Sequence, residues 1–140
     1  MREYKVNSPA ETQKIATQLA KKLKGGELLA LSGNLGAGKT LFIQALAKAL
    51  GVKEKITSPT FVLMKVYDIK HKHARKFVHV DCYRLTGHED LFGIGLGDYL
   101  NYDTVIVAIE WADKIANLPD RTIKINMELS GDNKRKISIS

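Results

Sequence analysis

Cysteine is nearly absent from this 140-residue chain: Cys82 stands alone, so no internal disulfide can form, which agrees with a reducing compartment. Long apolar runs are missing as well. Nothing approaches the roughly 18 residues of a membrane span, and residues 1–5 lack the apolar core of a signal peptide, so a cytoplasmic location is expected. No repeat, low-complexity tract or linker divides the sequence, and its length supports one hydrophobic core without room for a second. Residues 1–140 are therefore expected to form a single domain. Only five arginines occur, scattered along the chain, and no insertion offers the arginine-rich lid of a small-metabolite kinase. His71 and His73, two apart on a basic turn, have no nearby cysteine or third histidine, which argues against a metal site there.

Positive charge is in excess. The net charge is +7, from residues 21–24, 65–76 and 133–136, and it admits an acidic or nucleic-acid partner while saying nothing about activity. Glycine is concentrated where it carries information. Gly33-Asn34-Leu35-Gly36-Ala37-Gly38-Lys39-Thr40 fits the spacing G-x-x-x-x-G-K-[ST] of a phosphate-binding loop. Before it, residues 27–32 are apolar and long enough for one buried strand; after it, residues 41–50 are apolar nearly all round, read as a buried helix, and are closed by Gly51. A loop between strand and helix presents unpaired backbone N–H groups at the positive end of a helix dipole to a triphosphate. Gly33, Gly36 and Gly38 let those groups converge without a Cβ in the way, Lys39 reaches the β and γ phosphates, and the Thr40 hydroxyl is placed to ligate magnesium.

The remaining elements follow in order. Residues 4–6 open with a short strand, Ser8-Pro9-Ala10-Glu11 is a capping box with proline at the first helical position, and Ile15, Ala16, Leu19, Ala20 and Leu23 line one helical face up to Gly25-Gly26. Residues 56–61, with Pro59 among dense hydroxyls, suit a loop near a nucleotide. Residues 61–69 and 76–81 read as a hairpin with a basic tip, and residues 88–100 as a glycine-punctuated, partly helical stretch. Residues 104–111 form the clearest buried strand, because five consecutive apolar residues imply cover on both faces. Pro119 marks a turn, and residues 122–129 and 136–139 alternate like a terminal antiparallel pair. The expected architecture is α/β: a P-loop NTPase-like mixed β-sheet flanked by helices, with the ligand beyond the carboxyl ends of the parallel strands.

A nucleoside triphosphatase also needs magnesium and a group that orients the attacking water. Asp81 and Glu110 both end apolar strands; either suits the metal while the other positions the nucleophile, and Glu110, after the stronger strand, is placed near the metal. Ser58 and Thr60 resemble in type the hydroxyl residues of a switch loop, or else belong to a solvent-facing proline turn. Trp111 either packs against the site or belongs to the core; His79 and Cys82 read as packing residues.

Together, residues 33–40, Ser58-Pro59-Thr60-Phe61, His79-Val80-Asp81-Cys82-Tyr83-Arg84-Leu85 and Ile109-Glu110-Trp111-Ala112 resemble the TsaE (YjeE) family in order and spacing, with Glu11-Thr12 and Gly95-Leu96 extending the match over nearly the whole chain. The resemblance implies a bacterial ATPase with ATP and Mg2+ as ligands. Such a protein binds a TsaD–TsaB heterodimer and supports formation of threonylcarbamoyladenosine beside the anticodon of tRNAs that read codons beginning with A. By position it implies that Gly33, Leu35, Gly36, Ala37, Gly38, Lys39, Thr40 and Thr60 bind the nucleotide, with Trp111 against it. Thr40, Glu110 and Asp81 would serve the metal, and Lys39, Asp81 and Glu110 the catalysis. Thr12 matches a family threonine near the nucleotide, and Arg135 a basic residue near the C-terminus. Cys82 departs from the family's apolar residue, Gly87-His88-Glu89-Asp90 retains an acidic pair, and the tip 70–76 is more basic than the pattern, which suits contact with tRNA or a partner. The guanine-selecting N-K-x-D is absent, and Asp90-Leu91-Phe92-Gly93 does not follow a clear strand. A nucleotide-dependent switch without essential hydrolysis is the serious alternative.

Overall fold

A computed structural model describes residues 1–34, 36–56, 64–83, 95–100, 102–115 and 117–140. Its strands are β1 (Arg2–Val6), β2 (Leu28–Gly33), β3 (Met64–Asp68), β4 (Lys76–Asp81), β5 (Val105–Glu110), β6 (Ile123–Gly131) and β7 (Lys134–Ile139). They form one sheet in the order β1-β7-β6-β2-β5-β4-β3. The central β6, β2, β5 and β4 run parallel, while β3, β7 and β1 add antiparallel edges. The carboxyl ends of β2, β4 and β5 therefore share one edge, where a ligand is expected in an open α/β sheet.

Helix α1 (Pro9–Lys22) starts as its sequence dictates. Ser8 is extended, its Oγ accepts from the Glu11 N–H at 3.2 Å, and Glu11 Oε2 accepts from the Asn7 N–H at 2.6 Å. Glu27, read as strand, instead accepts from the N–H groups of Lys24 (2.8 Å) and Gly25 (2.7 Å), so β2 begins one residue later, at Leu28. Helix α2 (Lys39–Leu50) ends at Gly51, whose left-handed φ of 102° lets its N–H reach the carbonyls of Ala47 and Lys48.

Both α-helices pack on the same sheet face. Ile15, Ala16 and Ala20 of α1 and Phe42, Ile43, Leu46 and Leu50 of α2 share a core with alternate sheet residues such as Leu29, Leu31, Ile106 and Ala108. The intervening positions Leu28, Ala30, Val105, Val107 and Ile109 form a second core, covered by Cys82, Leu96, Leu100, Ala112 and Ile115. All six residues of β5 are buried, as cover on both faces demands, and each large apolar side chain so enclosed contributes roughly 1.5–3 kcal/mol of transfer free energy.

The basic tip between β3 and β4 is held by His71, whose Nδ1 accepts from the N–H groups of His73 and Ala74, both at 3.2 Å. Asn133, with φ 58°, turns β6 into β7 and leaves Lys134, Arg135 and Lys136 within the strand rather than at a loop tip. Among the described residues no helix is long and apolar enough to cross a membrane.

Candidate functional site

The loop after β2 takes its shape from its neighbours. At Gly33, φ is 137°, and a Cβ there would collide with the carbonyl oxygen of Met127 on β6. Glycine is required here by strand packing as well as by any ligand. Ala37 turns back to donate its N–H to the Asn34 carbonyl at 3.1 Å. Gly38 enters α2 with a left-handed φ of 99° and offers no side-chain cap, and no acidic residue occupies the first turn. The first N–H groups of a twelve-residue helix thus keep their positive field for an anion.

Two side chains in the first helical turn aim back at the sheet edge. Lys39 is 5% exposed; its Nζ donates to the carbonyls of Gly33 (2.9 Å) and Asn34 (2.8 Å) and lies 4.0 Å from the centroid of the Trp111 ring. Burial pulls its ammonium below the ordinary lysine range, against the raising effect of the Glu110, Asp113 and Asp81 charges. Thr40 donates its hydroxyl to Glu110 Oε1 at 2.8 Å. Glu110 is 2% exposed, and its Oε2 lies 2.7 Å from Nε2 of the fully buried His79.

Asp81 is paired with Glu110 in the parallel β4–β5 register, so two carboxylates stand side by side at the sheet edge. Its Oδ1 accepts the Tyr83 N–H at 3.0 Å. Burial raises the Asp81 carboxyl above its ordinary value; the Tyr83 N–H opposes the rise, and the Glu110 charge adds to it. Trp111 ends β5 by adopting a left-handed conformation (φ 57°, ψ 43°), so the strand stops at Glu110 rather than at Trp111 as its apolar run suggests. That turn places the indole against Lys39 and 5.0 Å from the Tyr83 ring.

Thr12, 3% exposed, and Arg135 come from opposite ends of the sequence to the same side of the loop. With Ala37, Gly38, Leu41 and Asn133 they line a cavity of about 80 Å3, and Arg135 Nη2 donates to the Gly36 carbonyl at 3.3 Å. A larger cavity of about 680 Å3, lined by Tyr4, Leu19, Leu23 and Ile139 among others, includes no residue of the loop. Its carboxylate, Glu27, is engaged in capping backbone N–H groups.

The structure thus gathers Thr12, Gly33, Gly36, Ala37, Gly38, Lys39, Thr40, Asp81, Glu110, Trp111 and Arg135 around one loop. Leu35, Thr60 and the motif residues Ser58, Pro59, Phe61, Arg84 and Leu85 lie outside the described residues, as do residues 87–94. His79 is corrected: it is hydrogen-bonded to the site carboxylate and is not merely packing. Its position two residues before Asp81, hence on the same face of β4, was the signal available in sequence. Cys82 does pack, buried in the second core. Among the described residues no three His, Cys, Asp or Glu side chains gather as a metal cage. The Thr40 hydroxyl and the neighbouring carboxylates of Glu110 and Asp81 are a donor set that fits magnesium, which takes one or two carboxylates and completes its shell with phosphate oxygens and water.

Comparison with known proteins identifies the family. Residues 6–137 match the family described as "Threonylcarbamoyl adenosine biosynthesis protein TsaE". A tRNA threonylcarbamoyladenosine biosynthesis protein TsaE from Treponema pallidum is 38% identical over 135 residues, covering 95% of this chain and 96% of the relative. One from Aquifex aeolicus is 38% identical over 141 residues, covering 99% and 96%. The crystal structure of Bacillus subtilis YdiB superposes with a TM-score of 0.76 at 32% identity, covering 99% of this chain and 83% of that one. The chain belongs to the TsaE family of tRNA threonylcarbamoyladenosine biosynthesis proteins.

Proposed function

We propose that this chain binds ATP with Mg2+ at residues 33–40 and hydrolyses it. Hydrolysis supports repeated turnover of a TsaD–TsaB complex that places the threonylcarbamoyl group on adenosine beside the anticodon. The observation that carries the reading is the 2.8 Å bond from Thr40 to Glu110 at the loop, with Asp81 in register beside it. A phosphate cradle alone needs no such pair, whereas hydrolysis needs groups for both the cation and the water.

In this mechanism the N–H groups of the loop and of the first turn of α2 bind the phosphates. Lys39 exchanges its contacts with the Gly33 and Asn34 carbonyls for phosphate oxygens, and Trp111 limits where its ammonium travels. Thr40 and Glu110, joined at 2.8 Å, would hold Mg2+, and the ion would supply charge neutralisation for the nucleotide's phosphates. Asp81, anchored by the Tyr83 N–H, orients the attacking water and accepts its proton, a role suited by the burial that raises its carboxyl. Thr12 and Arg135 bound the nucleotide on the side of α1.

The test measures ATP hydrolysis by the purified chain, alone and with its TsaD–TsaB pair, while tRNA modification is followed in the same tube. Hydrolysis that accompanies repeated modification, lost in Glu110→Ala together with turnover beyond the first round, is expected. Continued turnover by a Glu110→Ala protein that binds ATP would replace the enzyme with a nucleotide switch.

A further inference from the structure

His79 has no solvent exposure and lies on β4 directly opposite Ala108, whose methyl group leaves the imidazole room to lean toward Glu110 one pleat further along β5. A buried imidazole without a polar partner is costly, so the partner it has is informative. Nε2 lies 2.7 Å from Glu110 Oε2, whereas Nδ1 is buried with no partner among the described residues. That asymmetry selects the tautomer. A hydrogen on Nδ1 would be an unpaired buried donor and would leave the Nε2 lone pair facing a carboxylate. A hydrogen on Nε2 donates to Oε2 and leaves only an unpaired acceptor behind.

The second oxygen of the same carboxylate accepts the Thr40 hydroxyl at 2.8 Å. Glu110 is thus held by one donor from β4 and one from α2, and its carboxylate cannot rotate without losing one of them. We infer that His79 is the positioning residue of the site: its Nε2–H holds Oε2 from behind and turns Oε1 toward Thr40, where a divalent cation is coordinated. Loss of a partner that orients a ligating group typically costs about 10- to 100-fold in metal affinity or activity. The inference rests on Glu110 acting on the cation side, and the measurements below separate the two.

The first readout needs no nucleotide. In the free chain, nitrogen NMR of 15N-labelled imidazoles should show His79 as the Nε2–H tautomer, with signals that shift in Glu110→Gln. An Nδ1–H tautomer, or signals indifferent to Glu110→Gln, overturns the inference. The second readout is ADP affinity measured with Mg2+ and again with EDTA. His79→Leu should weaken the Mg2+-dependent affinity about 10- to 100-fold and leave the EDTA value unchanged. His79→Gln, which keeps an amide donor at the reach of Nε2, should restore most of the loss. A folded His79→Leu with full Mg2+ dependence, or a folded His79→Gln as impaired as His79→Leu, also overturns it. If Glu110→Gln keeps full Mg2+ dependence, the reading of Glu110 fails, and with it the functional part of the inference. A positive NMR result would then leave His79 as a structural partner only.

Discussion

Replacing Gly33 with alanine makes the largest demand on the structure. Gly33 closes β2 at φ 137°, a backbone region that is essentially glycine's and costs other residues about 1–3 kcal/mol. The new Cβ would collide with the Met127 carbonyl oxygen and stand 2.8 Å from the carbonyl carbon and 3.0 Å from the nitrogen of that residue. These are backbone atoms of β6, paired in register with Gly33, so no side chain can swing aside and the strands must part. Overpacking of this kind adds about 1–3 kcal/mol. The total is roughly 2–6 kcal/mol, and a chain of this size loses about 3 °C of thermal midpoint per kcal/mol, so the melting point should fall by on the order of 10 °C. Gly36→Ala is the control: φ is 80°, but nothing lies within 4 Å of an added Cβ, so strain alone acts and the fall should be about 3–6 °C. Circular-dichroism melts of the three proteins without nucleotide decide it. A Gly33→Ala protein melting within about 2 °C of the parent, or above Gly36→Ala, would refute the assignment of Gly33 to strand packing.

Trp111 is the sole tryptophan of the sequence and its ring lies 4.0 Å from Lys39 Nζ, so its fluorescence should change on titration with ATP. The change should vanish in a folded Lys39→Ala protein, and an equal response there would sink the idea. Burial raises the Asp81 carboxyl above 3.8, so the charged form costs the fold stability above that raised value, a cost that disappears below 3.8, where both states are protonated. Asp81→Asn, whose amide oxygen can still accept the Tyr83 N–H, should therefore resist urea better than the parent at pH 7 and no better near pH 3; a lower urea midpoint at pH 7 contradicts this. Neutralising Lys70, Lys72, Arg75 and Lys76 together with glutamine should weaken assembly with the partner complex or association with tRNA, most at low salt. Unchanged binding at low salt removes the tip from recognition. The Lys76–Asp68 pair lost in that variant is exposed, so little stability should go with it.

Much of this molecule was legible in its residues because the signals were local. Ser8 and Glu11 announce the start of α1, Gly51 announces the end of α2, and the apolar run through Ile109 requires the two-sided burial that β5 has. The terminal hairpin is likewise written in alternating residues. Boundaries shifted where a side chain found a better use than its propensity suggested. The Glu27 carboxylate caps the N–H groups of Lys24 and Gly25 just ahead of β2, and Trp111 leaves β5 through a left-handed turn.

The sequence by itself determined the make-up and setting of the loop, since Lys39 and Thr40 follow the glycines at fixed covalent distance between an apolar strand and an apolar helix. It also determined that Asp81 and Glu110 each end a strand. That these carboxylates are neighbours was decided only by the tertiary structure, because parallel register is set by packing across the sheet and not by spacing along the chain. The same holds for Thr12 and Arg135, which lie 123 positions apart and meet beside the loop. His79 is the clearest case: on the chain it is a polar residue between two valines, and only the approach of β5 gives its Nε2 a carboxylate to hold. Local pattern specifies which groups are present, while the long-range contacts that bury them decide which groups touch.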